Sequence, residues 1–308
     1  MNPDVVVESA ETAREMAPAH IPASRLLYWS VRRELWENRS IYLAPLAVAA
    51  LFLFGFVIST IRQAGRIRAA LEPVRLHDQK FLQEPYAFAA LLLMATTFLV
   101  TLFYCLDALN GERRDRSILF WKSLPVSDLT TVLSKASIPL IIMPLLTFAI
   151  TVATQCIMMV LSSMIVAGRG LDMGTLWPHP SLFRMSVMLF YHLFFIHGLW
   201  FAPFYGWLLL VSGWSRRAAI LWATLPLLAI GAVEKLVFNS SHFAAMLTYR
   251  FSGGSQDDSF SGGGMSMDPG KMFDPVAFMS SPGLWIGLIA TAVFLAAAVR
   301  LRRNRQPN

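Results

Sequence analysis

The chain has 308 residues, of which 56% are hydrophobic and only 15% charged, with a mean hydropathy of +0.53. A water-soluble domain of this size carries charge on about a quarter of its positions, so composition alone excludes that class. The net charge of +7 requires no nucleic acid, because much of it flanks apolar runs, where anionic lipid headgroups attract Lys and Arg.

Residues Met1 to His20 mix Asp4, Glu8, Glu11, Arg14 and Glu15 without an apolar core, which predicts a loose cytoplasmic tail over 1–23 rather than a signal peptide. The stretch "SRLLYWSVRRELWENRS" follows. Leu27, Tyr28, Val31 and Leu35 fall on one helical stripe, while Arg25, Arg32, Arg33 and Glu37 lie largely off it. Trp29 and Trp36 stand at its edge. The pattern predicts an amphipathic helix over 24–40 lying in the membrane surface, although a helix packed on a soluble subunit would look alike.

Six runs then lack Asp, Glu, Lys and Arg: Ile41–Ile61, Pro85–Leu106, Ala136–Gly168, Met185–Ser215, Ala218–Val233 and Pro275–Val299. A bilayer core of about 30 Å needs roughly 20 helical residues, so these predict six transmembrane helices in an all-α integral membrane protein. The spans are expected at 41–61, 86–106, 136–165, 185–213, 218–236 and 281–300. Ala136–Gly168 and Met185–Ser215 are long, but neither contains a polar turn, so each reads as one long or kinked helix. Ala218–Val233 is short and reads as tilted, thinned or broken, continued by Leu236–Tyr249 after Glu234-Lys235.

With both termini inside, near-membrane cytoplasmic segments carry fifteen Lys and Arg against ten on the other face. That bias predicts cytoplasmic ends. Cys105 and Cys156 fall at different depths, form no metal motif, and read as packing residues.

On this topology 107–135 is a cytoplasmic loop between spans two and three. It packs Glu112, Arg113, Arg114, Asp115 and Arg116 before the apolar block Ile118-Leu119-Phe120-Trp121 and a Leu124-Pro125 break. A solvated connector has little use for an aromatic knob, whereas protein contacts favour aromatics beside arginines. The reading is a short helix, a break, and a second helix with Pro125 in its first turn, running through Asp128 and Lys135.

"GERRDRSILFWKSLPVSDLTTVLSK" resembles the signature of ABC-2 type permeases, the membrane subunits of ATP-driven exporters. The matching residues are Glu112-Arg113, Ile118-Leu119, Leu124-Pro125-Val126-Ser127 and Lys135. The layout agrees too: an N-terminal amphipathic helix, six spans, and an external insertion at 237–280. The resemblance implies that the loop is a coupling helix docking on an ATPase, through Glu112, Arg113, Arg114, Asp115, Arg116, Ile118, Leu119, Phe120, Trp121, Leu124 and Pro125. It also implies two copies of an ABC ATPase, a second permease copy as a homodimer, and a bacterial inner-membrane location. ATP and Mg would sit in the partner ATPase, and no cofactor in this chain. Consistently, the nearest approach to a phosphate-binding loop fails. In "GGGMSMDPGKM" Met265 and Met272 stand where that loop needs Gly and Ser or Thr.

The glycine- and serine-rich insertion, with Asp257, Asp258 and Asp268, reads as a flexible loop. Intramembrane polar residues are candidates for translocation or gating: Gln155, His192, His197, Glu234 and Lys235. His192 and His197 are i,i+5, which on an α-helix puts them on different faces and argues against a shared metal. Apolar and aromatic residues dominate spans three to five (Phe190, Tyr191, Phe194, Phe195, Trp200, Phe201, Phe204, Tyr205, Trp207), a lining suited to hydrophobic or amphipathic cargo or simply to lipid and helix contacts. Two rivals stand beside the exporter: an integral membrane enzyme using His192, His197 and Glu234, and a carrier or channel that needs no ATPase.

Overall fold

The computed structural model of the chain describes residues 22–62, 79–114, 126–168, 182–215, 217–252 and 275–304. Every regular element among them is helical. Six helices are long and apolar enough to cross a membrane: Ser40–Arg62, Gln83–Arg114, Asp128–Ile165, Leu182–Trp200, Ala219–Phe238 and Pro282–Asn304. The molecule is therefore an all-α, multi-pass membrane protein.

A first helix, Ala23–Glu37, precedes the spans and stops at Asn38, whose backbone N–H and side-chain amide both donate to the Glu34 carbonyl. Ser30 and Glu34 are its buried positions, and Tyr28, Trp29 and Trp36 are exposed. Val31 and Leu35 pack partly on the main core, so the apolar stripe is divided: Tyr28 does not join them.

Span three is one continuous crossing with a change of winding. It begins as Asp128–Ser137, widens to a π-helix over Ile138–Ile142, and resumes as Met143–Ala167. The cause is local. Pro139 and Pro144 lack the N–H groups that would reach the carbonyls of Lys135 and Leu140, and the ladder shifts to i→i+5, as in Met143 N–H to Ile138 O. Its start is set by Ser127, which caps the helix by accepting from Thr130 N–H at 3.1 Å. Pro125, expected in that first turn, lies outside the described residues.

The fourth crossing also changes winding: Leu182–Tyr191 is α-helical, His192–Trp200 is a nine-residue π-helix, and Ala202–Trp214 resumes after a break at Phe201. Phe201 N–H donates back to Ile196 O, and Pro203 starts the new helix. The two π stretches meet at Gly198, where a Cβ would lie 3.2 Å from the Leu140 carbonyl oxygen. That carbonyl is the one Pro144 deprives of its α-helical donor. Gly206 makes the matching close approach to span six, where a Cβ would lie 3.4 Å from Thr291 Cα.

Span five is completed differently from the expectation. Ala219–Val233 continues as a π turn, Glu234–Phe238, and ends at Asn239 in the left-handed region, φ 48°. A separate helix, His242–Phe251, then returns toward span four. Its Arg250 carbonyl accepts from Trp200 Nε1 at 2.7 Å, and its guanidinium lies 4.3 Å from the Trp200 ring centre and donates to Gly283 O. Burial within the protein falls from 44% for span three to 6% for span five, so span three is central and span five peripheral.

Several buried hydroxyls share one arrangement. Thr60, Thr101, Thr147, Thr154 and Thr291 donate to the carbonyl four residues back, which satisfies them without water. The expected cysteine roles hold for Cys105, which is buried. Cys156 is exposed on the helix surface and packs no core.

Candidate functional site

At one end of the bundle, charged residues from four elements converge. Lys135, at the start of span three, donates to Glu34 Oε1 of the first helix at 2.9 Å and stands 3.1 Å from Glu112 Oε1. Lys135 and Glu34 are almost completely buried, with side-chain exposures of 3% and 0%. Tyr104 Oη of span two donates to the other Glu34 oxygen at 3.0 Å. Arg33 reaches both Glu34 (2.7 Å) and Glu112 (3.3 Å). Arg302, near the end of span six, donates from NH1 to Glu112 Oε2 and from Nε to Asp128 Oδ1 at 3.0 Å.

Carboxylates this buried are stable only where cations and donors surround them. Burial works against the Arg33 charge, but Glu34, then Glu37 and Glu112, outweigh it and raise the guanidinium above its ordinary pKa. Burial raises the Glu37 carboxyl, against the lowering pull of Arg33.

This cluster brackets the predicted coupling loop. Glu112 and Arg113 sit on the short helix Asn110–Arg114 just after span two, and Asp128 opens the helix that enters span three. Arg113 donates to the carbonyls of Ser212 (2.6 Å) and Ser215 (2.8 Å), and Ser212 Oγ accepts from the N–H groups of Leu109 and Asn110. The end of span four is thereby tied to the same place. Glu112 and Arg113 hold the base of the loop from inside the protein. Arg114 is more exposed and pairs with Asp107 at 3.5 Å. Asp115, Arg116, Ile118, Leu119, Phe120, Trp121, Leu124 and Pro125 lie outside the described residues.

The convergence also puts the end of span two, the start of span three and the ends of spans four and six on one face. Arg302, read from sequence as part of a basic tail at 301–308, is instead buried, in a helix that runs to Asn304. Sequence reasoning passed over Glu34 as well. The available signal was its position: with Leu27 and Val31 it continues an i, i+4, i+7 apolar stripe, where a carboxylate must have a buried partner.

In the membrane interior the π-helix changes the histidine geometry. With a wider winding, residues five apart share a face, and the rings of His192 and His197 stand 5.6 Å apart. The expectation that they occupy different faces is overturned. His197 packs edge-on against Phe98 and Phe201, and its buried Nδ1 has no hydrogen-bond partner among the described residues. Gln155, also buried, donates to Tyr86 O at 3.2 Å, while its Oε1 is unpartnered among the described residues.

Glu234 has a local task. It accepts from Ser240 Oγ and from the N–H groups of His242 and Phe243, which caps the returning helix. Lys235 is exposed. Glu234 and the two histidines are not brought together by any contact among the described residues. Nor does any group of three or more His, Cys, Asp and Glu there have the arrangement of a metal site. Of the insertion expected at 237–280, residues 253–274, with Asp257, Asp258 and Asp268, lie outside the described residues.

No protein-family model matches the chain, and no curated protein matches it at significant similarity.

Proposed function

We propose that this chain is the permease subunit of an ATP-driven exporter, carrying cargo through its spans and receiving force through the loop between spans two and three. The observation that carries the reading is the anchoring of that loop's base. Buried ion pairs tie its two flanks to the first helix and to span six, and Arg113 ties it to the end of span four. A push on the loop would reach several membrane helices at once rather than bending a free connector. The resemblance of Glu112-Arg113, Leu124-Pro125-Val126-Ser127 and Lys135 to the ABC-2 signature supports the same reading.

In this reading two chains pair in a bacterial inner membrane with both termini in the cytoplasm, and two ABC ATPase subunits dock below. The exposed surface of span five leaves room for a neighbouring chain. The first helix lies along the cytoplasmic surface, with Trp29 and Trp36 at the headgroups and Arg32 stacked on both rings at 5.1 and 4.6 Å. ATP drives the change because it binds the closed ATPase dimer better than the open one, and a ligand shifts an equilibrium only through such a difference. This chain catalyses nothing by itself.

The test is capture of an ABC ATPase by the tagged full-length chain, with wild type compared against Phe120→Ala/Trp121→Ala. Capture by wild type and loss in the double variant is the expected result. Failure of wild type to bind any ATPase would sink the exporter reading. A second reading, an intramembrane enzyme or ATP-independent carrier, draws on the facing pair His192 and His197 with its unpartnered Nδ1. It predicts activity without an ATPase that disappears in His192→Ala/His197→Ala.

A further inference from the structure

We propose that Arg302 is a positioning residue that makes span six part of the force path, by holding the two flanks of the coupling loop at a fixed separation. The inference rests on the exporter reading for its functional consequence, but its geometry stands on its own. Glu112 and Asp128 belong to different helices on either side of the loop, and one guanidinium binds both: NH1 to Glu112 Oε2 and Nε to Asp128 Oδ1. A planar guanidinium with two engaged edges fixes the distance between its partners, which a flexible ammonium does not. The contact is almost solvent-free at the Arg302–Glu112 arm, with exposures of 5% and 7%, so water competes little for it.

A second observation points the same way. Ala298, one turn before Arg302, is completely buried against Leu109 and Val132. Those residues sit on the same two flanks, just before Glu112 and just after Asp128. An apolar layer and an ionic bridge therefore join the same three elements in succession. Motion of either flank cannot proceed without moving the end of span six or breaking the bridge. Glu112 is additionally held by Lys135 and Arg33, so it is the fixed arm; the partly exposed Asp128 is the arm that can release.

The experiment uses the full-length chain with its captured ATPase and compares wild type with Arg302→Lys, Asp128→Asn and Asp128→Glu. Arg302→Lys keeps a cation beside Glu112 but loses the two-sided fork. Asp128→Asn removes the charge of the outer arm, leaving only a neutral acceptor for Nε–H, while Arg302 keeps its Glu112 partner. In both, ATPase capture and thermal stability in detergent are expected to stay near wild type. Permease-dependent ATP hydrolysis is expected to fall about tenfold, within the range found for residues that carry coupling between sites. Asp128→Glu, which keeps the carboxylate, should retain it. Hydrolysis within about twofold of wild type in both Arg302→Lys and Asp128→Asn overturns the proposal, since coupling residues shift it by more.

Should wild type capture no ATPase, the exporter reading fails, and the bridge is judged by amide hydrogen exchange alone. Asp128→Asn should then raise exchange in Asn110–Arg114 and in the first turn from Asp128. Unchanged exchange on both flanks would overturn the bridge itself.

Discussion

The charged end of the bundle and its middle are built in opposite ways. At the charged end each buried charge has at least two partners. Glu34 takes Lys135, Arg33 and Tyr104, and Glu112 takes Lys135, Arg33 and Arg302. In the middle, spans three and four abandon α winding for i→i+5 over Ile138–Ile142 and His192–Trp200. An over-determined region resists deformation. One with interrupted backbone ladders has alternative arrangements closer in energy. In the exporter reading the first region transmits force and the second rearranges.

The contrast is broken most severely at Lys135. Lys135→Ala leaves Glu34 and Glu112 buried side by side with fewer cations, and removing one partner of a buried pair costs about 3–5 kcal/mol. Thermal unfolding of the detergent-purified chain should show this as loss of the folded protein or a large drop in midpoint. His192→Ala should change the midpoint far less. The reverse ranking would undo the comparison.

Next in size is Arg113→Ala, which removes hydrogen bonds from a charged donor to the Ser212 and Ser215 carbonyls, a loss of about 2–3 kcal/mol. The same melting assay reads it, and cysteine pairs across the Asn110–Ser212 contact should cross-link less efficiently.

Gly198→Ala probes the other region. Its methyl would press on the Leu140 carbonyl at 3.2 Å, and overpacking of this kind costs about 1–3 kcal/mol where the neighbour is backbone. If the π stretches are adaptable, the cost falls at the lower end, visible as a midpoint shift smaller than that of Arg113→Ala.

A comparable effect, local to the returning helix, is expected for Trp200→Phe. A ring stays near Arg250, but the Nε1 bond to the Arg250 carbonyl is lost, at about 1 kcal/mol, and the smaller side chain underfills a fully buried site. Protease sensitivity of the His242–Phe251 helix should rise while the rest of the chain is unaffected.

The six crossings were legible in the sequence because each announces itself as an uncharged apolar run, and bilayer thickness sets their length. Even the long third run was readable as one crossing, since it offers no polar turn. Its π winding was not. Pro139 and Pro144 signal a disturbance, but whether a helix kinks or widens also depends on room for the Leu140 carbonyl, and Gly198 on another span leaves that room. The histidine spacing misled for the same reason: i,i+5 has one meaning on an α-helix and the opposite on a π-helix.

The loop's charged base was visible as Glu112-Arg113 and Lys135, and its partners were not. Glu34 is sequence-distant from Lys135, and Arg302 looks like any arginine flanking a membrane helix. Glu234, singled out as an intramembrane acid, turned out to cap a returning helix whose existence the short fifth run only hinted at.

The central claim is that the loop between Arg114 and Asp128 meets an ATPase. The most direct measurement places a cysteine at Trp121 (Trp121→Cys) and applies a short thiol cross-linker to native membranes, with Cys105 and Cys156 replaced by Ala and Val. The account predicts one dominant adduct, identified by mass spectrometry as an ABC ATPase, formed from Trp121→Cys and absent without the introduced thiol. Labelling of Trp121→Cys by a small maleimide with no ATPase adduct would contradict it.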